Sequence, residues 1–228
     1  TFTYDNNGNQ TSVKYPNGSE YRSKYDVRSR MISSSDAYGN TTTYTYDGMD
    51  RLTSVKDALN GTWSYKFDSL GNVTKVTDAL GNETTYSYTV NGQVKSVTNA
   101  AGKTATTEYD KYGRTISTTD FGGTKTTYTY DSMDRIKTTT TNEEVTTYTY
   151  DAYGNLTKVD DPSGTVTYTY NADGFLSGVT NAKGEKITYT YNDGYQLSKI
   201  TIDDQDISYG YDTYGRLISV TDSKGETT

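Results

Sequence analysis

The chain contains no cysteine, no histidine and only two prolines among its 228 residues. Without cysteine or histidine, nucleophilic sites of the Ser-His-Asp or Cys-His type, zinc fingers and thiolate metal centres are excluded. Catalysis could rest only on carboxylates, lysine or tyrosine. We therefore predict no catalytic residues, no metal centre and no enzymatic function.

Positive charge and long apolar runs are also scarce. Lys and Arg number 22 against 29 Asp and Glu, which gives a formal net charge of −7. Because a phosphate backbone attracts a basic surplus, this balance argues against nucleic acid and against an anionic membrane surface as partners. No apolar run is long enough for a membrane span.

Tyrosine and threonine dominate what is present. There are 25 Tyr and 44 Thr, whereas all hydrophobic residues together make up 31% of the chain. The mean hydropathy of −0.86 would fit disorder, but disordered chains are poor in aromatic and β-branched residues. This composition is typical of β-strands without a large aliphatic core.

An aromatic residue, usually followed by Asp, recurs every 20 or 21 residues. We call these aromatic residues the anchors. They are Tyr4, Tyr25, Tyr46, Phe67, Tyr88, Tyr109, Tyr130, Tyr150, Tyr170, Tyr191 and Tyr211. Repeats of fixed length indicate a repeat architecture. We predict one array over residues 1–228, with about eleven periods and no capping unit at either end.

Each period contains two turn signals separated by strand patterns. The first turn carries Gly four residues after the anchor, replaced in four periods by Ser29, Asp50, Asp134 and Tyr195. These positions suit a positive φ. The second turn also carries Gly, at Gly18, Gly39, Gly61, Gly81, Gly102, Gly123, Gly164, Gly184 and Gly225. The pattern predicts an antiparallel β-hairpin in every period.

Alternation along the strands predicts two chemically different sheet faces. In 43–46 the order Thr-Tyr-Thr-Tyr places tyrosine on one face and threonine on the other. The first strand of most hairpins instead carries two apolar residues three positions apart, such as Leu52 and Val55. Such spacing requires either a β-bulge or partial cover on both faces.

A single hairpin is marginal, so successive hairpins are expected to pair sideways. We predict an all-β fold: tandem antiparallel hairpins of 20–21 residues in one continuous curved or spiralling sheet. Tyr46 stands seven positions after Gly39. If a second copy followed Thr228 directly, its Tyr4 would stand seven positions after Gly225. We therefore expect adjoining repeats or other copies of the chain as partners through the sheet edges.

The period resembles the YD repeat of Rhs and wall-associated proteins. The segments 212–222 and 151–160 are close matches to its Tyr-Asp-x-x-Gly-Arg/Asn-Leu unit. The resemblance implies an extracellular or cell-surface protein whose hairpin ribbon forms a hollow shell, as in Rhs and Tc toxins and teneurins. It also implies an enclosed effector in toxin members and adhesion surfaces in others. The shell-closing motif of the toxins is missing here.

Three sets of side chains are candidates for binding. The Asp residues that follow the anchors, which we call the Asp column, offer oxygen ligands for Ca²⁺ together with the acidic cluster 203–206, although capping of turns explains them without a metal or other cofactor. The column consists of Asp5, Asp26, Asp47, Asp68, Asp110, Asp131, Asp151 and Asp212. The Arg column (Arg30, Arg51, Arg114, Arg135, Arg216) is expected to pair with carboxylates or cover Tyr rings. The segment 160–164, the nearest match to the self-cleavage site of the toxins, is expected to be a turn.

The aromatic ladders are the remaining candidate. Trp63, Tyr44, Tyr46 and Tyr65 could stack on sugar rings, although aromatic residues repeated in every period are more often packing residues. The main hypothesis is a structural module of an exported shell or extracellular fibre. The alternative is an adhesin-like surface that binds glycans or partner cells.

Overall fold

The computed structural model describes all 228 residues and contains 22 β-strands, all in one antiparallel sheet. The predicted all-β hairpin array is therefore confirmed. No helix in the structure has the length and apolarity that a membrane crossing needs. The strands group into two compact units, Thr1–Glu108 with Thr118–Gly123 and Tyr109–Ser117 with Thr124–Thr228.

The first unit is built from a run of strands in which each pairs with the next along the chain. The strands are β1 Phe2–Tyr4, β2 Gln10–Lys14, β3 Glu20–Tyr25, β4 Met31–Ser35, β5 Thr41–Tyr46, β6 Leu52–Lys56, β7 Thr62–Phe67, β8 Val73–Thr77, β9 Glu83–Tyr88, β10 Val94–Thr98 and β11 Thr104–Tyr109. Tyr109, the last residue of β11, belongs to the second unit, and the next strand, β12 Thr115–Thr119, contributes residues to both units.

The second unit continues the same sequential pairing. Its strands are β13 Lys125–Tyr130, β14 Ile136–Thr141, β15 Glu144–Tyr150, β16 Leu156–Asp161, β17 Gly164–Tyr170, β18 Leu176–Thr180, β19 Lys186–Tyr191, β20 Leu197–Ile202, β21 Gln205–Tyr211 and β22 Leu217–Thr221.

The first turn of each period is a five-residue loop closed by its leading residue. In the loop 47–51 the amide of Asp47 donates to the carbonyl of Arg51 at 3.0 Å, and the amide of Asp50 donates to the carbonyl of Asp47 at 3.2 Å. Asp50 has a φ of 66°, and Ser29, Asp134 and Tyr195 have values from 61° to 62°. The predicted substitutes for glycine therefore do occupy left-handed positions.

A β-bulge explains the apolar spacing of three. Tyr46 pairs with Leu52 and Tyr44 pairs with Val55, with a register shift between Thr45 and Tyr46. The shift leaves one extra residue on β6, so Leu52 and Val55 both lie on the tyrosine face. The sequence left open a β-bulge or partial cover on both faces, and the bulge alone explains the spacing.

The second turn explains why the period is sometimes 20 and sometimes 21 residues. In 21-residue periods it is a five-residue loop such as 57–61, in which the positive φ of 69° falls on Asn60 and not on Gly61. In three 20-residue periods the strands close around two residues, as in the pair between Thr141 and Glu144. The shorter turn removes one residue from the period.

The sheet has no closed hydrophobic core. No apolar side chain is fully buried, and Ser117, 5% exposed, and Gly178 are the only buried residues. On β5 the tyrosines are half-buried, whereas Thr43 and Thr45 are exposed. Stability must therefore come from strand pairing and from contacts between neighbouring periods on the tyrosine face.

Candidate functional site

The Asp that follows eight of the eleven anchors organises the first turn. Asp47 Oδ1 accepts hydrogen bonds from the amides of Met49 at 2.9 Å and Arg51 at 3.0 Å. Asp68 does the same for Leu70 and Asn72, and the side-chain amide of Asn72 also donates to Asp68 Oδ2 at 2.9 Å. These bonds stabilise the ionised carboxylate.

The carboxyl pKa values reflect this capping. The hydrogen bond from the Arg30 guanidinium lowers the pKa of Asp26 below its ordinary value, and the bond from Asn72 lowers that of Asp68. Partial burial opposes the shift in both cases. The Asp column thus consists of ionised turn caps, one per turn, with no group of three acidic side chains placed around a common point. The calcium alternative stays a prediction.

The acidic cluster 203–206 has a similar structural explanation. Asp203 and Asp204 are the central residues of a two-residue turn, with φ values of 47° and 62°. Asp206 accepts hydrogen bonds from Lys199 at 3.0 Å and from Thr201 at 2.6 Å. The three carboxylates do not converge on one ligand position.

The arginines of the Arg column join consecutive periods. Arg51 Nε donates to Asp47 of its own turn at 2.7 Å, while its Nη1 donates to the carbonyl of Asp68 in the next turn at 2.9 Å. Its guanidinium carbon lies 4.6 Å from the centre of the Phe67 ring. Both functions expected of the column, carboxylate pairing and ring cover, are performed by one side chain. We call this arrangement the arginine clamp.

The clamp is present at four positions. The guanidinium-to-ring distances range from 4.4 to 4.8 Å in the pairs Arg30–Tyr46, Arg51–Phe67, Arg114–Tyr130 and Arg135–Tyr150. These four arginine side chains are between 23% and 27% exposed. Arg216 pairs with Asp212 and lies over Tyr214, and it is 75% exposed. A clamp arginine is therefore distinguished by its partly buried side chain, which lies over the next anchor ring. Arg216, in contrast, makes contacts only within its own turn.

Anchor hydroxyls make a second link between periods. Seven anchors donate through their hydroxyl to the carbonyl of the first residue in the strand that follows the preceding anchor. The bonds, between 2.6 and 3.0 Å, are Tyr46–Met31, Tyr88–Val73, Tyr130–Thr115, Tyr150–Ile136, Tyr170–Leu156, Tyr191–Leu176 and Tyr211–Leu197. Sequence reasoning missed these bonds, although the preference for Tyr over Phe at ten of eleven anchors signals a hydroxyl in use.

The structure brings the predicted aromatic candidates onto one face. Val55 pairs with Tyr44 on one side and with Trp63 on the other, and Tyr46 and Tyr65 follow two residues along their strands. All four aromatic side chains are half-buried. We call these four side chains on one face of the first unit the aromatic patch; Val55 lies between Tyr44 and Trp63 within it.

Part of this patch is already engaged within the chain. Arg30 covers the Tyr46 ring at 4.8 Å, and the Tyr46 hydroxyl donates to the Met31 carbonyl at 2.8 Å. The Tyr44 hydroxyl lies 3.3 Å from that of Ser34. These contacts are packing between periods. Glycan binding by the patch stays a prediction, and none of the comparisons below supports it.

The segment 160–164 is a turn, as expected. Asp161 pairs with Gly164 around the two residues Pro162 and Ser163. Asp161 Oδ1 accepts the amides of Ser163 at 2.8 Å and Gly164 at 3.1 Å. The Asp161 carboxylate is therefore used as a turn cap.

Tc toxin proteins are among the solved structures with a similar fold. The crystal structure of TcdB2-TccC3-TEV matches with a TM-score of 0.66 and 17% identity, over 96% of this chain and 14% of that chain. The Photorhabdus luminescens Tc holotoxin pore matches with a TM-score of 0.53 and 15% identity, over 96% of this chain and 18% of that chain. At these identities the likeness concerns the fold. The chain spans less than a fifth of either Tc chain.

Two family profiles match the sequence, whereas the comparison with curated proteins gives no match. The RHS Repeat profile covers residues 25–62. The Teneurin YD-shell profile covers residues 64–196, which is more than half of the 228-residue chain. The matched region contains two of the four arginine clamps, those of Arg114 and Arg135, and five of the seven anchor hydroxyl bonds. The chain therefore belongs to the Teneurin YD-shell family.

Proposed function

We propose that this chain is a non-catalytic structural module that builds part of the wall of an exported, hollow β-shell. The observation that carries the proposal is the coupling of consecutive periods by the arginine clamp and the anchor hydroxyl. These links stabilise a sheet that has no apolar core of its own. Membership of the YD-shell family and the fold shared with Tc toxin structures support it.

The proposal has consequences for partners and location. The partners of a wall segment are adjoining repeats or other copies at its strand edges, where unpaired backbone groups accept a further strand. A shell also implies an enclosed effector, and the protein would act outside the cell or at its surface. The match to the RHS Repeat profile favours this location over an intracellular one.

Cryo-electron microscopy of the native full-length protein tests the proposal. We expect closed hollow particles, with residues 1–228 tracing a stretch of the wall and density for a second polypeptide inside. Long uniform fibres with an axial repeat would overturn the shell and indicate the fibre alternative. Solid particles with these strands packed against a separate domain would contradict both.

A further inference from the structure

One arginine clamp in the second unit is replaced by a cleft. Asn155 stands at the position in its turn that Arg135 and Arg114 hold in theirs. Its side-chain amide donates to Asp151 Oδ2 at 2.9 Å, as an arginine Nε would. The asparagine ends there, so its side chain does not extend to the next anchor, Tyr170.

The space left by the missing guanidinium is open. A cleft of about 800 Å³ is lined by Asp151, Tyr153, Asn155, Tyr170 and Asp173, among others. The Tyr170 hydroxyl is bound to the Leu156 carbonyl at 2.9 Å, which holds the ring in the orientation of the other anchors.

The chemistry of the cleft matches a cation with a planar shape. Two carboxylates, Asp151 and Asp173, line it, and no Lys or Arg does. The nearby Arg135 is already paired with Asp131 and lies over the Tyr150 ring. Tyr168 also lines the cleft, and Tyr153, 93% exposed, supplies a third tyrosine at the rim. A cation over a Tyr ring with adjacent carboxylates is an established favourable arrangement.

The arginine clamps elsewhere in the chain indicate which cation fits this cleft. In the equivalent place between neighbouring turns, Arg114 binds Asp110 and Asp134 and lies 4.5 Å from the Tyr130 ring. We propose that the cleft beside Tyr170 binds a guanidinium group supplied from outside the chain, as an arginine side chain of a partner polypeptide. The partner's guanidinium would occupy the position that a clamp arginine occupies elsewhere.

Another period provides a matched control. Asn72 also replaces a clamp arginine and also donates to its turn aspartate, at 2.9 Å. The residues corresponding to Tyr153 and Asp173 are there Leu70 and Asn91. That position therefore lacks both the rim tyrosine and the second carboxylate, and we expect it to bind a guanidinium more weakly.

The test is an NMR titration of the intact chain with N-acetylarginine amide, whose only charge is the guanidinium. We expect saturable shifts centred on Asn155, Tyr170 and Asp173, and at least tenfold smaller shifts with the neutral N-acetylcitrulline amide. Asn155→Arg should fill the cleft from within and weaken binding at least tenfold, whereas Asn72→Arg should leave it unchanged. Asp173→Asn should weaken binding several-fold.

Several results would overturn the proposal. These are equal shifts with the citrulline amide, undiminished binding by Asn155→Arg, or shifts spread over many periods. A peptide with one arginine flanked by alanines separates the sources. Tighter binding than the single amino acid amide supports a polypeptide partner, and equal binding would restrict the site to free guanidinium compounds and overturn that part.

Discussion

At the scale of single residues, the arginine of the first turn combines three contacts that are weak separately. Arg51 bridges a carboxylate of its own turn, a carbonyl of the next turn and an aromatic ring of the next period. An exposed ion pair alone contributes little to stability. The ring and the partial burial of the side chain, 25% exposed, raise the contribution.

We predict that Arg51→Ala lowers the free energy of unfolding by about 1 kcal/mol. Chemical denaturation followed by tyrosine fluorescence measures this difference. Arg216→Ala is the matched control, because Arg216 makes only turn-local contacts and is 75% exposed; it should change stability by less than about 0.5 kcal/mol. Equal losses in the two variants would show that the next ring contributes nothing.

The anchor hydroxyl gives a second prediction. Tyr88→Phe removes the 2.6 Å bond to the Val73 carbonyl and should cost about 1 kcal/mol of unfolding free energy. Tyr38→Phe, at a side chain that is 92% exposed, should be neutral by the same denaturation measurement. If Tyr88→Phe is also neutral, the hydroxyl links do not couple the periods.

Stability should fall at both ends of the pH range. Hydrogen bonds from Arg30 and Asn72 lower the pKa values of Asp26 and Asp68, so the stability they confer is present above the unfolded carboxyl pKa of about 3.9 and lost as the pH falls below it. Burial raises the pKa of Tyr130, so its contribution is present below pH ~10 and lost above it.

Thermal melting across pH measures this profile. Because the chain has no histidine, we expect a plateau from about pH 5 to pH 9 and a fall outside it. A melting temperature that rises as the pH drops from 5 to 3 would contradict the capping function of the Asp column.

At the scale of elements, the turns are specified residue by residue. Gly71 has a φ of 94°, and a Cβ added there would meet nothing within 4 Å. Gly71→Ala should therefore cost about 1–2 kcal/mol from backbone strain alone. Gly48→Ala, in another first turn without a positive φ and with equally free space, should be close to neutral. Denaturation of both variants compares them directly; equal effects would mean that strain at the left-handed position is unimportant.

Sequence patterns predicted the elements well because turns and strands are local. The positions with a positive φ were predicted from the glycine that recurs four residues after the anchor, because glycine adopts this conformation readily. The prediction extended to the residues that replace glycine there, including Tyr195. The apolar spacing of Leu52 and Val55 left the bulge undecided, because register depends on the partner strand.

The contacts between periods were less accessible to sequence reasoning. That Arg51 reaches Phe67 depends on where the next turn lies in space, and a period of 20 or 21 residues does not reveal that distance. The cleft at Asn155 depends on the same placement, and a single substitution in one column carries no signal of open space. The residues of these sites could be identified from the sequence, but the contacts between them could not.

At the scale of the whole molecule, the central claim is that the periods form a coupled wall and not a string of independent hairpins. Each unit lacks buried apolar side chains, so a hairpin separated from its neighbours would be marginal. In repeat proteins of this type, stability is the sum of weak repeats and the interfaces between them.

Hydrogen–deuterium exchange of the intact chain, read by mass spectrometry on peptides from each period, tests this claim most directly. Within each unit we predict slow exchange in paired strands on both sides of every turn, including pairs between periods such as β5 with β6 and β17 with β18, and fast exchange only at the turns. Arg114→Ala should speed exchange in the strands next to its turn. Slow exchange confined to one hairpin type, with rapid exchange of the amides that join neighbouring periods, would contradict the coupled wall.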